Sequence, residues 1–167
     1  MSMGSLVPFL PRQLAEALLR RPDGPPQALV SRADAVVLFA DISGFTPMSE
    51  ALARLGQGGT EELTDRLNRY YAAMIERIAA YGGQVGAFGG DALTALFPLG
   101  ASPAAAAARA VQCALELPGL LGPEAAVVTR AGSFSLAIKI GLAAGPVLST
   151  IVGDPQVRLL GAMAGAA

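Results

Sequence analysis

The chain has 167 residues, a formal net charge of −1, one cysteine and no histidine. A hydrophobic content of 53% and a charged content of 15% are sufficient for the core of one domain and argue against disorder. The near-neutral net charge provides no excess of positive charge that would attract nucleic acid or an anionic membrane. The lack of histidine excludes histidine-based triads and metal sites.

Residues 1–30 are predicted to be a leader that precedes a domain over residues 31–167. Pro11 lies near the start of a short amphipathic helix, and the segment 21–26, Arg-Pro-Asp-Gly-Pro-Pro, is typical of a linker. The basic residues follow or interrupt the apolar ones, so the N-terminus is not a signal peptide. No apolar run is long enough to span a membrane, and the lone Cys113 favours a reducing compartment, so a cytoplasmic location is expected.

The first strand is predicted over residues 35–42, where a run of apolar and β-branched residues ends at Asp41. Ser43-Gly44-Phe45-Thr46 follows, and Gly44 allows a tight turn. A carboxylate at the end of a strand, next to a small-residue loop with free N–H groups, is suited to a metal ion and a phosphate group.

Two helices are expected next. The first covers residues 47–55, and the second begins with Thr60 as its N-cap and ends at Gly82-Gly83. The arginines of the second helix are interpreted as solvated surface. Its apolar face repeats at helical spacing through Leu63, Leu67, Tyr70, Met74, Ile78 and Tyr81.

The remaining pattern predicts a hairpin, a helix and two strands. Strands over 84–88 and 92–97 flank Gly89-Gly90-Asp91, and a helix extends from Ser102-Pro103 to Leu117 with Cys113 as a small core residue. Residues 123–132 are predicted to be a loop. The last strands are placed over 134–145 and 147–152. This order of elements predicts an α+β fold of ferredoxin-like type, with helices packed on a mainly antiparallel sheet.

Asp41 and Asp91 are the candidate catalytic pair. Adjacent antiparallel strands could bring both carboxylates to one edge of the sheet. Paired carboxylates without histidine suit two Mg²⁺ ions about 4 Å apart, and the Ile42 carbonyl is a plausible further ligand. Either acid alone would be structural more often than not. For Lys139, in an apolar strand, an edge position and a partner-facing position both remain open.

These motifs resemble those of the class III nucleotide cyclases, the catalytic domains of adenylate and guanylate cyclases. The resemblance rests on the segments 39–46, 61–63, 67–68, 81–83, 88–93 and 95–97. It is strongest to the first cyclase domain of bicarbonate-responsive soluble adenylyl cyclases and related bacterial multidomain proteins. It implies the nucleotide cyclase fold.

The resemblance also implies a site and a reaction. Asp41, Asp91 and the Ile42 carbonyl would hold two Mg²⁺ or Mn²⁺ ions. The backbone of Ile42, Ser43, Gly44, Phe45 and Thr46 would bind the triphosphate. The expected reaction converts a nucleoside triphosphate, with ATP favoured, to cyclic AMP and pyrophosphate.

Two departures from the family pattern shape this expectation. The family has a base-reading lysine four residues before the second acid, and Ala87 occupies that position. The family's Asn and Arg lie on a helix that would begin near Ala167. We therefore expect a C-terminally truncated, acid-bearing half-site that a second cyclase domain completes in cis or in trans, with negligible turnover alone.

The sequence allows two alternatives. A catalytically inactive cyclase-homology domain could serve as a nucleotide-sensing or dimerising module. A diguanylate cyclase ranks last, because Ala92-Leu93 follows Asp91 where that family has Glu-Phe.

Overall fold

The computed structural model describes residues 30–121, 126–154 and 158–165, with side chains except at 30, 31 and 151–165. The predicted leader helix and the linker lie outside these residues, so the boundary after residue 30 stays a prediction. The chain divides into two compact units. One comprises Val36–Ala143, and the other comprises the residues that flank it on both sides.

The described residues form three α-helices, one 3₁₀ helix and seven strands. The elements are β1 (Val30–Ser43), α1 (Phe45–Ala53), α2 (Gln57–Ala80), β2 (Gln84–Gly89), β3 (Ala92–Pro98), α3 (Pro103–Glu116), a 3₁₀ helix (Leu117–Leu121), β4 (Ala126–Thr129), β5 (Gly132–Ser135), β6 (Ala137–Asp154) and β7 (Arg158–Gly165). The predicted α+β fold, an antiparallel sheet combined with helices, is confirmed.

Strand β1 lies inside the sheet of the Val36–Ala143 unit, where the strand order is β2-β3-β1-β6. It is longer than predicted. Every second residue from Val36 to Ile42 is buried, whereas Phe39 is about half exposed. Because successive side chains of a strand point to opposite faces, one face of β1 packs into the core, and Asp41 projects from the other face.

The main core joins the inner face of the sheet to helices α2 and α3. Met74 and Ile78 of α2 are fully buried in it, as the apolar stripe predicts. Cys113 of α3 is buried there too, and this burial raises the pKa of its thiol to about 11, so it is a core residue as predicted. The buried members of the cluster are Val36, Leu38, Ala40, Met74, Ile78, Leu93, Ala95, Phe97, Ala110, Cys113, Leu117 and Ile138.

The segment predicted to be a loop contains a second hairpin, so that prediction is wrong. Strands β4 and β5 pair in register from Ala126↔Ser135 to Thr129↔Gly132. The Thr129 hydroxyl organises the turn, because it accepts a hydrogen bond from the Ala131 N–H and donates one to the Gly132 carbonyl. Val127 packs into a smaller core cluster with Ile42, Met48, Leu52 and Leu136.

The β4–β5 hairpin is bound to helix α2 through Glu62. The carboxylate of Glu62 accepts hydrogen bonds from the Arg66 side chain and, at 3.3 Å, from the Arg130 backbone N–H. Arg66 also donates to the Val128 carbonyl at 2.5 Å. Arg66 is therefore not the free solvated residue that its helical position predicts.

Two further expectations differ from the structure, and the structure contains one strand that the sequence does not predict. Helix α2 begins at Gln57 with Gly56 as its N-cap, so Thr60 lies inside the helix, where its hydroxyl donates to the Gly56 carbonyl. Strand β6 continues through Gly145-Pro146 instead of dividing there. In the second unit, β7 pairs with β6 from Val147↔Gly165 to Asp154↔Arg158, so residues 158–165 form a strand.

Candidate functional site

Asp41 is delivered to the site by strand β1, which ends two residues later at Ser43. Its side chain is partly exposed, while its neighbours Ala40 and Ile42 are buried. The apolar run therefore fixes the backbone and leaves the carboxylate accessible at the end of the strand, as predicted.

Asp91 lies in the two-residue turn between β2 and β3. The predicted hairpin is present, with Gly89 paired to Ala92. Gly90 has a φ of 68°, a left-handed conformation that glycine adopts without the steric cost of a Cβ atom. The Asp91 side chain is partly exposed.

A backbone hydrogen bond joins the two acidic motifs. The Ile42 N–H donates to the Asp91 carbonyl oxygen at an N···O distance of 3.3 Å. Since Asp41 directly precedes Ile42, the contact brings two residues that are distant in sequence to neighbouring positions, at the end of β1 and the start of β3. The sheet supports this pairing, because β1 and β3 are adjacent strands.

The pKa of Tyr71, on helix α2, is influenced by the charges of both acids. Its hydroxyl donates to the Gly90 carbonyl at 2.5 Å. Burial raises the pKa of Tyr71, and the negative charges of Asp91 and Asp41 raise it further. Both carboxylates therefore lie within electrostatic reach of one phenol group.

The segment after Asp41 presents unoccupied hydrogen-bonding groups. The Ser43 hydroxyl oxygen is buried and has no hydrogen-bond partner among the described residues. Helix α1 begins at Phe45, and its N-cap, Gly44, provides no side-chain hydrogen bond. A helix N-terminus without a side-chain cap exposes N–H groups and the positive end of the helix dipole, which together favour an anion.

Gly44 is required at its position for two reasons. Its φ of 84° is left-handed, and a Cβ atom there would lie 2.1 Å from the Ser135 carbonyl oxygen. The loop between β1 and α1 is thus packed directly against the end of β5. This contact ties the candidate phosphate-binding loop to the second hairpin.

The donor set suits a hard divalent cation. Asp41 and Asp91 offer carboxylate oxygens, the Ile42 carbonyl is next to Asp41, and the unpartnered Ser43 hydroxyl lies two residues further along. Across residues 30–121, 126–154 and 158–165, no three His, Cys, Asp or Glu side chains cluster as a metal site. Bound ions would therefore need backbone, water or phosphate oxygens to complete their coordination, which is common for Mg²⁺.

Other predicted positions have different surroundings. Ala87 is exposed on β2, opposite Thr94, and carries no group that could read a base. Lys139 is exposed on β6. Arg77 is not free, since it forms an ion pair with Glu116 across α2 and α3.

Sequence reasoning missed Tyr71 and Ser135. The predicted stripe on α2 includes Tyr70 but not Tyr71, although the spacing from Tyr71 to Met74 and Ile78 would place it on the same helical face. No local signal identifies Ser135, because only its backbone carbonyl contacts Gly44.

The family model described as "Adenylate and Guanylate cyclase catalytic domain" matches residues 30–160. Adenylate cyclase type 10 of Rattus norvegicus is 38% identical over 124 residues, which are 72% of this chain and 8% of that protein. The protein of the same name in Oryctolagus cuniculus is 35% identical over 133 residues, again 8% of its length. The chain thus spans less than a tenth of these relatives.

Solved structures share the fold. A bacterial light-regulated adenylyl cyclase has a TM-score of 0.74 at 22% identity, covering 98% of this chain and 44% of its own. The guanylyl cyclase Cya2 has a TM-score of 0.61 at 28% identity, covering 81% of this chain and 66% of its own. In the part of the chain that the structure describes, no helix has the length and apolar character needed to cross a membrane.

Proposed function

Because the chain belongs to the adenylate and guanylate cyclase catalytic domain family, we propose that it is the metal- and triphosphate-binding half of a nucleotide cyclase site. A second cyclase domain, in cis or in trans, completes the site and supplies the residues that read the base and stabilise the transition state. ATP is the favoured substrate, because the curated relatives are named adenylate cyclases. The products are cyclic AMP and pyrophosphate.

One observation carries this proposal, the hydrogen bond from the Ile42 N–H to the Asp91 carbonyl at 3.3 Å. It fixes the backbones that bear the two acids side by side before any ligand binds. A preformed arrangement lowers the cost of binding, because the protein does not have to order these residues on binding.

The residues of the site have separate tasks. Asp41, Asp91 and the Ile42 carbonyl hold two divalent cations, Mg²⁺ or Mn²⁺. The N–H groups from Ser43 to Thr46 and the Ser43 hydroxyl donate to triphosphate oxygens. The chemistry that bound cations supply here is activation of the attacking ribose 3′-hydroxyl and neutralisation of charge on the leaving pyrophosphate.

Nucleotide binding by the full chain tests the metal assignment. The experiment uses calorimetry with Mn²⁺ and an ATP analogue in which a methylene group replaces the α–β bridging oxygen. Asp41→Asn and Asp91→Asn should each weaken binding at least about tenfold, since even mutation of a residue that only supports a metal ligand lowers metal affinity by about tenfold or more. Asp65→Asn, which removes the same charge from an exposed position on α2, should leave binding unchanged. Equal affinities in all four proteins would refute the assignment.

A second candidate is a regulatory module without turnover, which binds nucleotide or dimerises. Ala87 favours it, because a methyl group replaces the lysine that the cyclase resemblance places four residues before Asp91. Turnover measurements distinguish the two candidates. The half-site proposal predicts negligible cyclic AMP from the chain alone and formation of cyclic AMP with an added cyclase domain that carries the lysine, Asn and Arg. Nucleotide binding with no product in the mixture would support the regulatory module.

A further inference from the structure

We propose that Tyr71 is a positioning residue for Asp91, which it holds in place through the neighbouring Gly90 carbonyl. This inference rests on the proposed function, because it assigns a task in the metal site to a residue that is outside the two acidic motifs. Tyr71 itself contacts neither substrate nor cation in this scheme.

Tyr71 contacts the β2–β3 turn at two points. Its hydroxyl donates to the Gly90 carbonyl at an O···O distance of 2.5 Å. Its ring packs edge-on against Phe88, with the ring centroids 5.0 Å apart and the planes inclined by 69°. Helix α2 is anchored in the core by Met74 and Ile78, so the turn is attached to a rigid element.

The backbone of Asp91 is consequently held on both sides. The carbonyl of the preceding residue, Gly90, accepts from Tyr71, and the carbonyl of Asp91 itself accepts from the Ile42 N–H. These bonds fix the two peptide groups that flank the Asp91 Cα atom. The direction in which the carboxylate leaves the backbone is therefore set by one strand and one helix.

The end of the hairpin has little other packing that could perform this task. A Cβ atom added at Gly89 or at Gly90 would meet nothing within 4 Å. Phe88 is 54% exposed. A turn with open space around two of its residues depends on the few contacts that it does make.

The Tyr71 hydroxyl is a hydrogen-bond donor at neutral pH. Burial raises the pKa of Tyr71, so its proton is retained. The ring is partly buried against the main core. Replacing tyrosine with phenylalanine therefore removes the tether to Gly90 and preserves the packing of the ring.

The test measures Mn²⁺ binding by the full chain with the same ATP analogue, using the loss of the free Mn²⁺ electron paramagnetic resonance signal. Tyr71→Phe should weaken binding roughly twofold to tenfold, the range expected for one lost hydrogen bond, and should lower the unfolding temperature by no more than about 6 °C. Tyr81→Phe is the matched control. It removes the hydroxyl of Tyr81, which directly follows α2 and whose partner is Glu116, and it should leave Mn²⁺ affinity unchanged.

Asp91→Asn separates failure of this inference from failure of the proposed function. If Asp91→Asn weakens Mn²⁺ binding and Tyr71→Phe does not, the positioning role is refuted and the metal site stands. If Asp91→Asn has no effect, the metal site is refuted and the positioning role falls with it. Should Tyr71→Phe fail to fold, Phe88→Ala replaces it. Phe88→Ala should fold, because the half-exposed Phe88 ring contributes little to the core. It should weaken Mn²⁺ binding to the same extent, because it removes the ring contact with Tyr71. Unchanged affinity in Phe88→Ala would then refute the inference.

Discussion

Gly44→Ala tests whether the loop between β1 and α1 is packed against the second hairpin. The substitution places a methyl group at a φ of 84° and 2.1 Å from the Ser135 carbonyl oxygen, whereas ordinary contacts begin at 3.4 Å. The neighbour is a backbone atom at the end of β5, so it cannot turn away as a side chain would. Either the hairpin or the loop has to move.

The expected cost has two parts. A left-handed conformation costs a residue other than glycine about 1–2 kcal/mol, and forcing an extra carbon into a packed site costs about 1–3 kcal/mol. Together they predict a loss of about 2–5 kcal/mol of unfolding free energy. For a chain of this size, each kcal/mol lowers the unfolding temperature by about 2–4 °C.

Gly100→Ala is the control. Gly100 has a φ of 53°, but a Cβ atom there would meet nothing within 4 Å. It should therefore show only the conformational part, about 1–2 kcal/mol. Urea unfolding of the two variants and the parent chain measures the difference. Calorimetry should show weaker nucleotide binding for Gly44→Ala alone. Equal losses of stability in the two variants would show that the contact with Ser135 is absent.

Two further experiments test the hairpin attachment and the core. Hydrogen bonds from Arg66 and from the Arg130 backbone lower the pKa of Glu62. The contribution of Glu62 to stability is therefore complete above its unfolded-state pKa of about 4.3, and it is lost as the pH falls through its lower pKa in the folded state. The difference in urea midpoint between the parent chain and Glu62→Gln should therefore be constant near pH 7 and shrink below about pH 4.3; a difference that persists at lower pH would contradict the attachment. Leu38→Ala, at a fully buried position, should cost about 2–5 kcal/mol, whereas Leu115→Ala, at a position that is 77% exposed, should change the unfolding free energy by less than about 0.5 kcal/mol in the same assay. Similar losses at both positions would contradict the assigned core.

Local sequence signals predicted the elements that carry the acids. The apolar run before Asp41 specified β1, and the glycines before Asp91 specified the turn between β2 and β3. Gly82-Gly83 correctly marked the end of α2. These signals are effective because a buried strand, a left-handed turn and a helix end each restrict the residue types at the position itself.

The two errors have different causes, a distant contact for the missed hairpin and a misleading local signal for the start of α2. Strands β4 and β5 have four residues each, too few to show a clear alternating pattern, and a long-range bond between Arg66 and the Val128 carbonyl helps hold them. The start of α2 was misplaced because Thr60 is a good N-cap residue, yet the helix begins earlier, at Gln57. A short sequence pattern cannot reveal which distant residue will form hydrogen bonds with it.

The sequence by itself predicted which residues would bear the proposed chemistry. Asp41, Asp91 and the segment from Ile42 to Thr46 are identifiable from residue type and spacing alone, as is the absence of a lysine at Ala87. Tertiary structure alone decided how the site is held. The Ile42–Asp91 hydrogen bond, the Tyr71 contact with Gly90 and the packing of Gly44 on Ser135 join residues that are distant in the chain. The physical reason is that all three contacts are made to a backbone carbonyl. The Ile42 N–H and the Tyr71 hydroxyl each donate a hydrogen bond to a carbonyl, and Gly44 packs closely against a third. Because every residue has a carbonyl, no residue type marks such a position in a sequence.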